Sequence, residues 1–319
     1  MRTLKIFFHD GCFDGVSSTA MFARFYRDAI DASAQVTAVG LGHRVGDPFS
    51  EVVFDASDHA CVDFRFSPAP AMRWWFDHHA TAFQPAALRD VFDERRSPTH
   101  IFDPDAPSCA GLIARRVAQG WGWQPPDHLR ELAQWADRVD SLAYASAAEA
   151  AALTTPAQRL SVYLSSAAGP ADTARVAALL VDRSLAELAA LPEVDAAACK
   201  VAAERARTLE LLRSVAVRRR QVVMLDLLDV PGARAPGLLS YLLFSDCRYA
   251  VSAVASPQAV RISVGHNPWT GAAPGHHLGE LCQRFGGGGH QAVGGVTLEP
   301  HELALGRQVL HALTDALAE

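Results

Sequence analysis

The chain has 319 residues and a formal net charge of −6, and half of its residues are hydrophobic. A chain of this length favours two domains and can bury a sizeable core. The acidic balance argues against a protein that coats DNA or RNA, because such proteins carry a basic excess. The net charge does not exclude a small phosphorylated substrate in a local pocket.

The six cysteines are scattered through the chain, and no two of them form a CxxC pair. In a chain of this length such spacing predicts reduced thiols, not a disulfide framework or a zinc ribbon. The first residues lead directly into a strand-like run instead of a signal peptide, and no apolar run reaches membrane-spanning length. We therefore expect a cytoplasmic protein that does not interact with membranes.

The first half of the chain alternates strand-like runs with helical patterns. The run Leu4–Phe8 predicts a buried strand, and Val16–Tyr26 predicts a helix with an apolar face. Ionisable residues are concentrated in the loop between them. Further strands are predicted at residues 34–40, 52–54, 60–62, 74–76 and 99–103. This alternation predicts an α/β fold with an N-terminal parallel sheet flanked by helices.

Three of these strands end in ionisable residues, which are His9, Asp63 and the triplet Asp77-His78-His79. Ligands of open parallel α/β sheets bind outside the carboxyl ends of the strands, so these side chains are expected to meet at one edge. Carboxylates crowded there would repel one another unless a cation neutralised them. The pattern therefore predicts a metal site, and the alternative is that each carboxylate caps its own loop.

Three further candidate residues lie in or just before the helices that follow. Ser108 precedes a helix that begins at Cys109, where a serine caps the N-terminus or contacts a phosphate. Asp137 and Asp140 lie three residues apart on one face of the next helix. Acidic residues near a helix C-terminus oppose the helix dipole. Their position therefore indicates a cationic partner, although solvated aspartates are common in helices.

Five motifs now point to a known superfamily: FHDGCFDGVSS, ACVDF, WFDHHAT, APSCAGL and WADRVDS. In this order they resemble the DHH phosphoesterases, which are named after the triplet. Members include single-strand DNA exonucleases, nanoRNases, cyclic-dinucleotide phosphodiesterases, and manganese pyrophosphatases and polyphosphatases. The resemblance implies a two-metal site, usually manganese, at the carboxyl edge of a parallel sheet. The residues that match the motifs as metal ligands are His9, Asp14, Asp63, His78 and, in the last motif, Asp137.

The catalytic candidates are the other two members of the triplet. Asp77 is expected to orient His78 or the adjacent strand end through a hydrogen bond. His79 is expected to contact the phosphate or to support the leaving oxygen.

The first motif departs from the family pattern, which carries two aspartates two residues apart. Cys12 stands at the first of these places and Asp14 at the second, as in a subgroup with a His-x-x-Cys-x-Asp-Gly signature. Asp10 would replace Cys12 only if the loop shifted. A thiolate is softer than a carboxylate and prefers zinc or iron over manganese. Cys12 is therefore either an additional ligand, with zinc, iron or cobalt as alternative metals, or a bystander.

The second half of the chain predicts a helix over residues 195–220, then a strand over 222–226 and a hairpin over 248–265. The segment GGGGHQAVGG follows, either as a flexible loop or as a place where main-chain N–H groups approach an anion. It resembles the glycine-rich motif of the DHH-associated C-terminal domain, which binds the nucleotide or phosphate chain in that family. The substrate-binding candidates are Gly287, Gly288, Gly289 and His290 from the motif, and Arg248 and Asn267 from their strand and turn positions.

Three regions follow from these patterns. Residues 1–190 are predicted to form a DHH-type catalytic domain, 191–220 a helical connector, and 221–319 a smaller α/β substrate-binding domain with a mixed sheet. The predicted activity, similar to that of nanoRNases, is hydrolysis of a short oligonucleotide, a dinucleotide or a phosphorylated nucleotide by a metal-activated water.

Long duplex nucleic acid is not expected as a partner, and a homodimer is an open alternative to a monomer. The alternative functions are a pyrophosphatase or polyphosphatase, and a nucleotide-binding protein whose catalytic site has degenerated.

Overall fold

The computed structural model describes residues 2–43, 46–95, 97–166 and 168–319. The chain divides into two compact units. The first consists of Met1–Gly42, Pro48–Ala143 and Leu153–Ala202, and the second of His43–Asp47, Tyr144–Ala152 and Ala203–Glu319. The catalytic and substrate-binding roles assigned to the predicted domains stay a prediction.

The helices and strands follow one another along the chain as α/β elements, with a helical stretch in the middle. The elements up to the middle of the chain are β1 (Thr3–His9), α1 (Phe13–Ala29), β2 (Gln35–Leu41), β3 (Asp58–Val62), β4 (Met72–Asp77), α2 (Leu88–Glu94), β5 (His100–Phe102), α3 (Cys109–Trp121), α4 (Asp127–Asp140), α5 (Ala147–Ala150), α6 (Pro156–Ser166), α7 (Pro170–Leu180), α8 (Leu185–Ala189) and α9 (Pro192–Val215). The remaining elements are β6 (Ala216–Arg219), β7 (Val222–Leu227), α10 (Leu239–Leu243), β8 (Tyr249–Ala255), β9 (Val260–His266), a short 3-10 helix (Pro268–Thr270), α11 (Leu278–Gln283), β10 (Gly288–Gly289), β11 (Val293–Leu298) and α12 (Leu303–Ala318). None of the helices in these described ranges combines the length and apolar character needed to cross a bilayer.

The first unit contains a five-stranded sheet in the order β2-β1-β3-β4-β5, in which every pairing is parallel. Its central strands β1, β3 and β4 are largely buried, as expected for a parallel sheet covered on both faces, whereas the edge strands β2 and β5 are partly exposed. In β1, Ile6 and Phe8 pack into a core with α1, whereas Phe7 packs into a second core with Trp75. The predicted parallel sheet flanked by helices is confirmed.

The run 52–54, predicted as a strand, has no regular secondary structure. Both edges of β1 are already occupied by β2 and β3, so this run has no edge of β1 to pair with. Val53 is 62% exposed, and its carbonyl accepts a hydrogen bond from Lys5 Nζ at 3.2 Å. The apolar residues on either side of it cover the second core instead.

The second unit contains a six-stranded sheet in the order β10-β11-β9-β8-β7-β6. The pair β7–β8 is parallel and the other pairs are antiparallel, so the sheet is mixed, as predicted. The apolar face of α12 packs on this sheet through Val309, Leu310 and Leu313.

The helix predicted over 195–220 ends earlier, because α9 stops at Val215 and residues 216–219 form the edge strand β6. This strand pairs with β7 through a tight turn in which Arg220 has a φ of 52°. The side chains of the arginine run form ion pairs, Arg218 with Asp246 at 2.7 Å and Arg219 with Asp315. Main-chain pairing with the buried strand β7 thus overrides the helical pattern.

Candidate metal centre

The carboxyl ends of β1, β3 and β4 bring the predicted ligands together. His9 is the last residue of β1, Asp63 directly follows β3, and Asp77 is the last residue of β4. The register aligns Phe8 with Val62 and Val62 with Phe76, so the three strands end at the same level.

Asp63 lies at the centre of the cluster. Its Oδ2 atom is 3.6 Å from His9 Nδ1, and its Oδ1 atom is 3.5 Å from His78 Nε2 and 3.8 Å from His79 Nδ1. The residue is 1% exposed and has a φ of 55°, in the left-handed region that non-glycine residues rarely occupy. Strain of this kind is typical of functional positions.

The donor atoms around Asp63 fit a divalent cation. Neither of its carboxylate oxygens accepts a hydrogen bond from any residue that the structure describes. A buried carboxylate without such partners is costly unless a cation compensates it. Three sets of potential ligand atoms lie within 4.8 Å of one another and share this residue: His9/Cys12/Asp63, Asp14/Asp63/His78 and Asp63/Asp77/His79.

Asp14 connects the cluster to the helices. Its Oδ2 atom accepts a hydrogen bond from Cys109 N at 2.6 Å, and its Oδ1 atom accepts one from Ala110 N at 2.9 Å. These donors are the first N–H groups of α3, where a carboxylate is favoured. The same Oδ2 atom lies 3.5 Å from His78 Nε2. Asp14 is therefore fixed in place by the helix terminus while it faces the cluster.

Of the two acidic residues on α4, Asp140 contacts the cluster and Asp137 contacts other groups, so the ligand role that the last motif assigns to Asp137 stays a prediction. Asp137 Oδ1 accepts a hydrogen bond from Ser108 Oγ at 2.6 Å, and its Oδ2 atom lies 3.2 Å from Arg115 Nη1. Asp140 Oδ2 instead lies 3.5 Å from His78 Nε2. Three residues along a helix are nearly one turn, so the two carboxylates share a face but reach different neighbours.

Ser108 has the role of a helix cap, one of the two alternatives from the sequence. Its hydroxyl accepts a hydrogen bond from Gly111 N at 3.0 Å at the start of α3 and donates to Asp137. The hydroxyl of Ser108 therefore bonds to both α3 and α4.

The triplet at the end of β4 is held in place by its own aspartate. Asp77 Oδ1 accepts hydrogen bonds from His78 N at 2.8 Å and from the ring of His79, whose Nδ1 is 2.7 Å away. The ring of His78 is instead oriented by Ala106, whose carbonyl oxygen lies 2.9 Å from Nδ1. Asp77 thus fixes the strand end, one of the two predicted alternatives, and also the ring of His79.

Burial and neighbouring charges shift the pKa values of the residues in this cluster. Burial lowers the pKa of His78, but the neighbouring carboxylates of Asp63, Asp140 and Asp14 raise it to about 11. Burial raises the pKa of Asp63, and contacts with His78 and His9 hold it well below its usual range. Burial and the neighbouring carboxylates nevertheless raise the pKa of Asp14 and of Asp140. Positive charge on an imidazole thus offsets only part of the carboxylate charge, and a metal ion would offset the rest.

The two candidates from the first loop lie in different surroundings. Cys12 precedes α1, and its sulfur belongs to the set with His9 and Asp63. The carboxylate of Asp10 accepts hydrogen bonds from Gly11 N at 2.9 Å and from Thr173 Oγ1. The side chain of Asp10 thus bonds to its own loop and to α7.

The glycine-rich candidates form a tight hairpin in the second unit. Gly288 pairs with Gly295 and Gly289 with Gly294. A Cβ on Gly287 or Gly289 would approach a carbonyl oxygen of β11 more closely than 3.0 Å. The glycines are therefore required by close main-chain packing, and contact with an anion stays a prediction. His290 follows the hairpin strand, and its N–H donates to Val293 O at 2.7 Å.

The side chains of Arg248 and Asn267 both donate hydrogen bonds to backbone carbonyl oxygens of the protein. Arg248 Nη2 donates to Ala273 O at 2.6 Å, and its guanidinium lies 5.5 Å from the centre of the Tyr249 ring. Asn267 is 1% exposed, and its Nδ2 donates to Ser245 O and Cys247 O at 3.1 and 2.9 Å. Its Oδ1 atom accepts a hydrogen bond from Trp269 N at 3.1 Å and so caps the 3-10 helix. The side chain is thus bonded within the protein, and contact of Asn267 with a substrate stays a prediction.

Arg65 is a candidate that sequence reasoning missed. It is partly buried between the buried residues Phe64 and Phe66, two residues after Asp63. Its guanidinium makes no hydrogen bond or ion pair with the part of the chain that the structure describes. The sequence feature that could have indicated Arg65 is its cationic side chain within the largely apolar run ACVDFRF.

No protein-family model matches the sequence, and no curated protein matches it significantly. Among solved structures, the chain is similar to PggH, a pGpG-specific phosphodiesterase from Vibrio cholerae, with 18% identity, a TM-score of 0.63 and coverage of 99% of this chain and 100% of that one. It is similar to RecJ from Thermus thermophilus in complex with Mn2+, with 15% identity, a TM-score of 0.59 and coverage of 99% and 52%. It is also similar to the DHH domain of a member of the s1p family of ribosomal proteins, with 12% identity, a TM-score of 0.53 and coverage of 99% and 87%.

These similarities concern the fold, since the identities are low and a fold alone does not define an activity. The chain spans about half of the RecJ chain and the full length of PggH. Together, the parallel sheet, the mixed sheet and the matched structures give one consistent result. The chain has the fold of DHH-domain proteins, the superfamily that its sequence motifs resemble.

Proposed function

We propose that the protein is a metal-dependent phosphoesterase that hydrolyses a short oligonucleotide, a dinucleotide or a phosphorylated nucleotide. The observation that carries this proposal is the buried carboxylate of Asp63, whose oxygens have no hydrogen-bond partner in the described chain while three imidazoles surround them. The similar structures include a pGpG-specific phosphodiesterase and an exonuclease, which supports phosphoester chemistry.

The residues divide into those that hold a metal and those that position other groups. A bound divalent cation would supply Lewis acidity and a water activated near neutral pH. The side chains that would hold it are His9, Asp14, Asp63, His78 and Asp140. Asp77 holds the ring of His79 through Nδ1. In the bound complex, the opposite ring nitrogen of His79 would donate to a phosphate oxygen or to the leaving oxygen.

For the metal, we propose manganese as the main candidate. RecJ structures have been solved with Mn2+ and with Mg2+, and carboxylate-rich donor sets suit these ions. Zinc, iron and cobalt are alternatives because the sulfur of Cys12 lies among the donor atoms.

The proposed substrate is small and anionic. The net charge of −6 disfavours extended nucleic acid, and PggH acts on pGpG. Arg65 supports this proposal, because a partly buried guanidinium with no acidic partner among the described residues suits a phosphate. Two extended residues span about 7 Å, so the side chain of Arg65 can reach a phosphate held at Asp63. We also propose that residues 1–190 carry catalysis and that the hairpin around Gly288 in 221–319 contacts the substrate.

The proposal is tested by turnover of the metal-free full chain after reloading. The protein is treated with a chelator under anaerobic conditions and supplied in turn with Mn2+, Mg2+, Co2+, Zn2+ or Fe2+. The substrates are pGpG, longer single-stranded oligonucleotides and pyrophosphate. We expect metal-dependent hydrolysis of pGpG or the short oligonucleotides. Hydrolysis of pyrophosphate alone would contradict the proposed substrate class, and absence of turnover with every metal would contradict the enzymatic function.

A further inference from the structure

The potential ligand atoms around Asp63 form two sets with different chemistry. One set consists of His9, Cys12 and Asp63, and the other of Asp14, Asp63 and His78. Asp63 is the residue that they share. We call the first set the thiol position and the second the carboxylate position. The first offers nitrogen, sulfur and oxygen, whereas the second offers nitrogen and two carboxylates.

The loop before α1 holds Cys12 firmly at this edge. Gly11 has a φ of 68°, and Asp10 N donates to Leu41 O at 2.9 Å. The carbonyl of Cys12 accepts the first hydrogen bond of α1, from Val16 N at 3.2 Å. Its side chain makes no capping hydrogen bond with the residues that the structure describes, although it stands at the cap position. The thiol is therefore available for another partner.

Other cysteines of the same unit show what a structural cysteine looks like in this fold. Cys61 and Cys109 are fully buried, and each sulfur contacts a backbone carbonyl oxygen, of Arg65 and of Phe76. Cys12 is only partly buried and lies among imidazole and carboxylate atoms. Packing therefore does not explain its place in the fold.

A second observation independently indicates that a ligand belongs between these atoms. Asp63 is 1% exposed, and its Oδ2 atom, which faces His9 at 3.6 Å, has no hydrogen-bond partner among the described residues. A hydrogen bond is shorter than this separation. A cation bound by this oxygen, by the imidazole of His9 and by the thiolate of Cys12 would give each of these three ligand atoms a partner.

We propose that the two positions select different metals. The thiol position takes a borderline ion of the zinc or iron class, with Cys12 as a thiolate ligand, because sulfur ligands favour such ions. The carboxylate position takes a harder ion such as manganese or magnesium. Binding at the thiol position forms a metal–sulfur bond and releases the thiol proton to solvent. This inference rests on the proposed function and refines its metal site.

The test is cobalt spectroscopy of the reloaded full chain, because a Co2+–thiolate bond gives a charge-transfer absorption in the near ultraviolet that oxygen and nitrogen ligands do not give. We expect this band in the wild type and in C199S, which changes an exposed cysteine remote in sequence from the site. C12S should lose the band while its circular dichroism stays unchanged. A parallel metal analysis in equal zinc and manganese should give one of each in the wild type and mainly manganese in C12D.

Loss of an outer-shell partner of a metal ligand costs about 10- to 100-fold in affinity, so the loss of zinc affinity in C12S, which removes a direct thiolate ligand, should be at least that large. Absence of the band in cobalt-loaded wild type, its persistence in C12S, or failure of the wild type to bind cobalt would each overturn the inference. The outcome is separable from the proposed function. Hydrolysis with manganese but no thiolate band would reject only the inference, whereas a band without hydrolysis of any substrate would reject only the function.

Discussion

Asp140 Oδ2 lies 3.5 Å from His78 Nε2, whereas Asp137, three residues earlier on α4, is bonded to Ser108 and Arg115. The two carboxylates therefore have separable roles. One faces the proposed metal centre, and the other joins α4 to the start of α3.

Asp140→Asn should lower metal content and abolish most turnover, with the unfolding transition little changed, because its contacts are with the cluster. Asp137→Asn is the matched control, and it should retain metal. It should cost about 1–2 kcal/mol of stability, because it weakens a hydrogen bond and an ion pair. Metal analysis and chemical denaturation measure both effects. Loss of metal in D137N with full metal in D140N would support the assignment of Asp137 as the ligand.

Asp63 is best tested with asparagine, since its left-handed backbone restricts the choice of substitution. Asparagine tolerates a φ of 55° far better than alanine does, so D63N removes the charge with little added strain. We expect D63N to lose metal and hydrolysis while keeping its circular dichroism. D63A should in addition lose about 1–2 kcal/mol of stability. Unchanged turnover in D63N would remove this residue from the centre.

Asp77 is a positioning residue, because it holds the strand end and the ring of His79. Asp77→Asn retains an acceptor oxygen and should lower kcat by about 10- to 100-fold, with a smaller change in KM. Asp77→Ala should lower kcat further. The measurement is kcat and KM across pH, and the profile of D77N should shift because the ring has lost its anionic partner. Equal kcat and pH profiles in wild type and D77N would show that the orientation of His79 is unimportant.

Arg65 should affect substrate binding more than metal binding. Arg65→Gln should raise KM for pGpG by about 10- to 100-fold, since a charge-assisted hydrogen bond contributes about 1.5–3 kcal/mol. Arg65→Lys should retain part of the affinity through its charge. Metal content is the control and should stay at the wild-type value in both variants. An unchanged KM in R65Q would exclude contact with the substrate.

The hairpin glycines should be sensitive to a single methyl group. A Cβ on Gly287 would collide with the carbonyl oxygen of Gly295, so Gly287→Ala should destabilise the second unit by about 1–3 kcal/mol. Gly120 in α3 is the matched control, because a Cβ there meets no atom of the described residues within 4 Å and alanine favours a helix. Hydrogen exchange of β11 reports on the hairpin directly. Wild-type protection of β11 in G287A would contradict the tight packing described for this segment.

The strands and the site edge were predictable because apolar runs ending in His9, Asp63 and Asp77 are local features of the sequence. The choice between Asp137 and Asp140 was not, because the two share a helix face and differ only in which neighbours they reach. That difference depends on how α4 packs against α3. The local sequence pattern therefore identified the face of α4 but not which of its two aspartates contacts the cluster.

Tertiary pairing explains the other differences. Residues 216–219 continue a helical pattern in the sequence, yet they add an edge strand to β7 because an available sheet edge satisfies their backbone groups. Residues 52–54 carry an apolar strand-like run but have no edge of β1 to join. The glycine-rich segment suggested a loop for an anion, whereas its contacts also require glycine for main-chain packing.

Anomalous X-ray scattering at the manganese absorption edge, from crystals of the full chain soaked in Mn2+, tests the metal centre most directly. We predict an anomalous peak at the carboxyl edge of the parallel sheet, within bonding distance of Asp63 and His78. A crystal that binds manganese only elsewhere, or in which these two side chains contact no ion, would contradict the account.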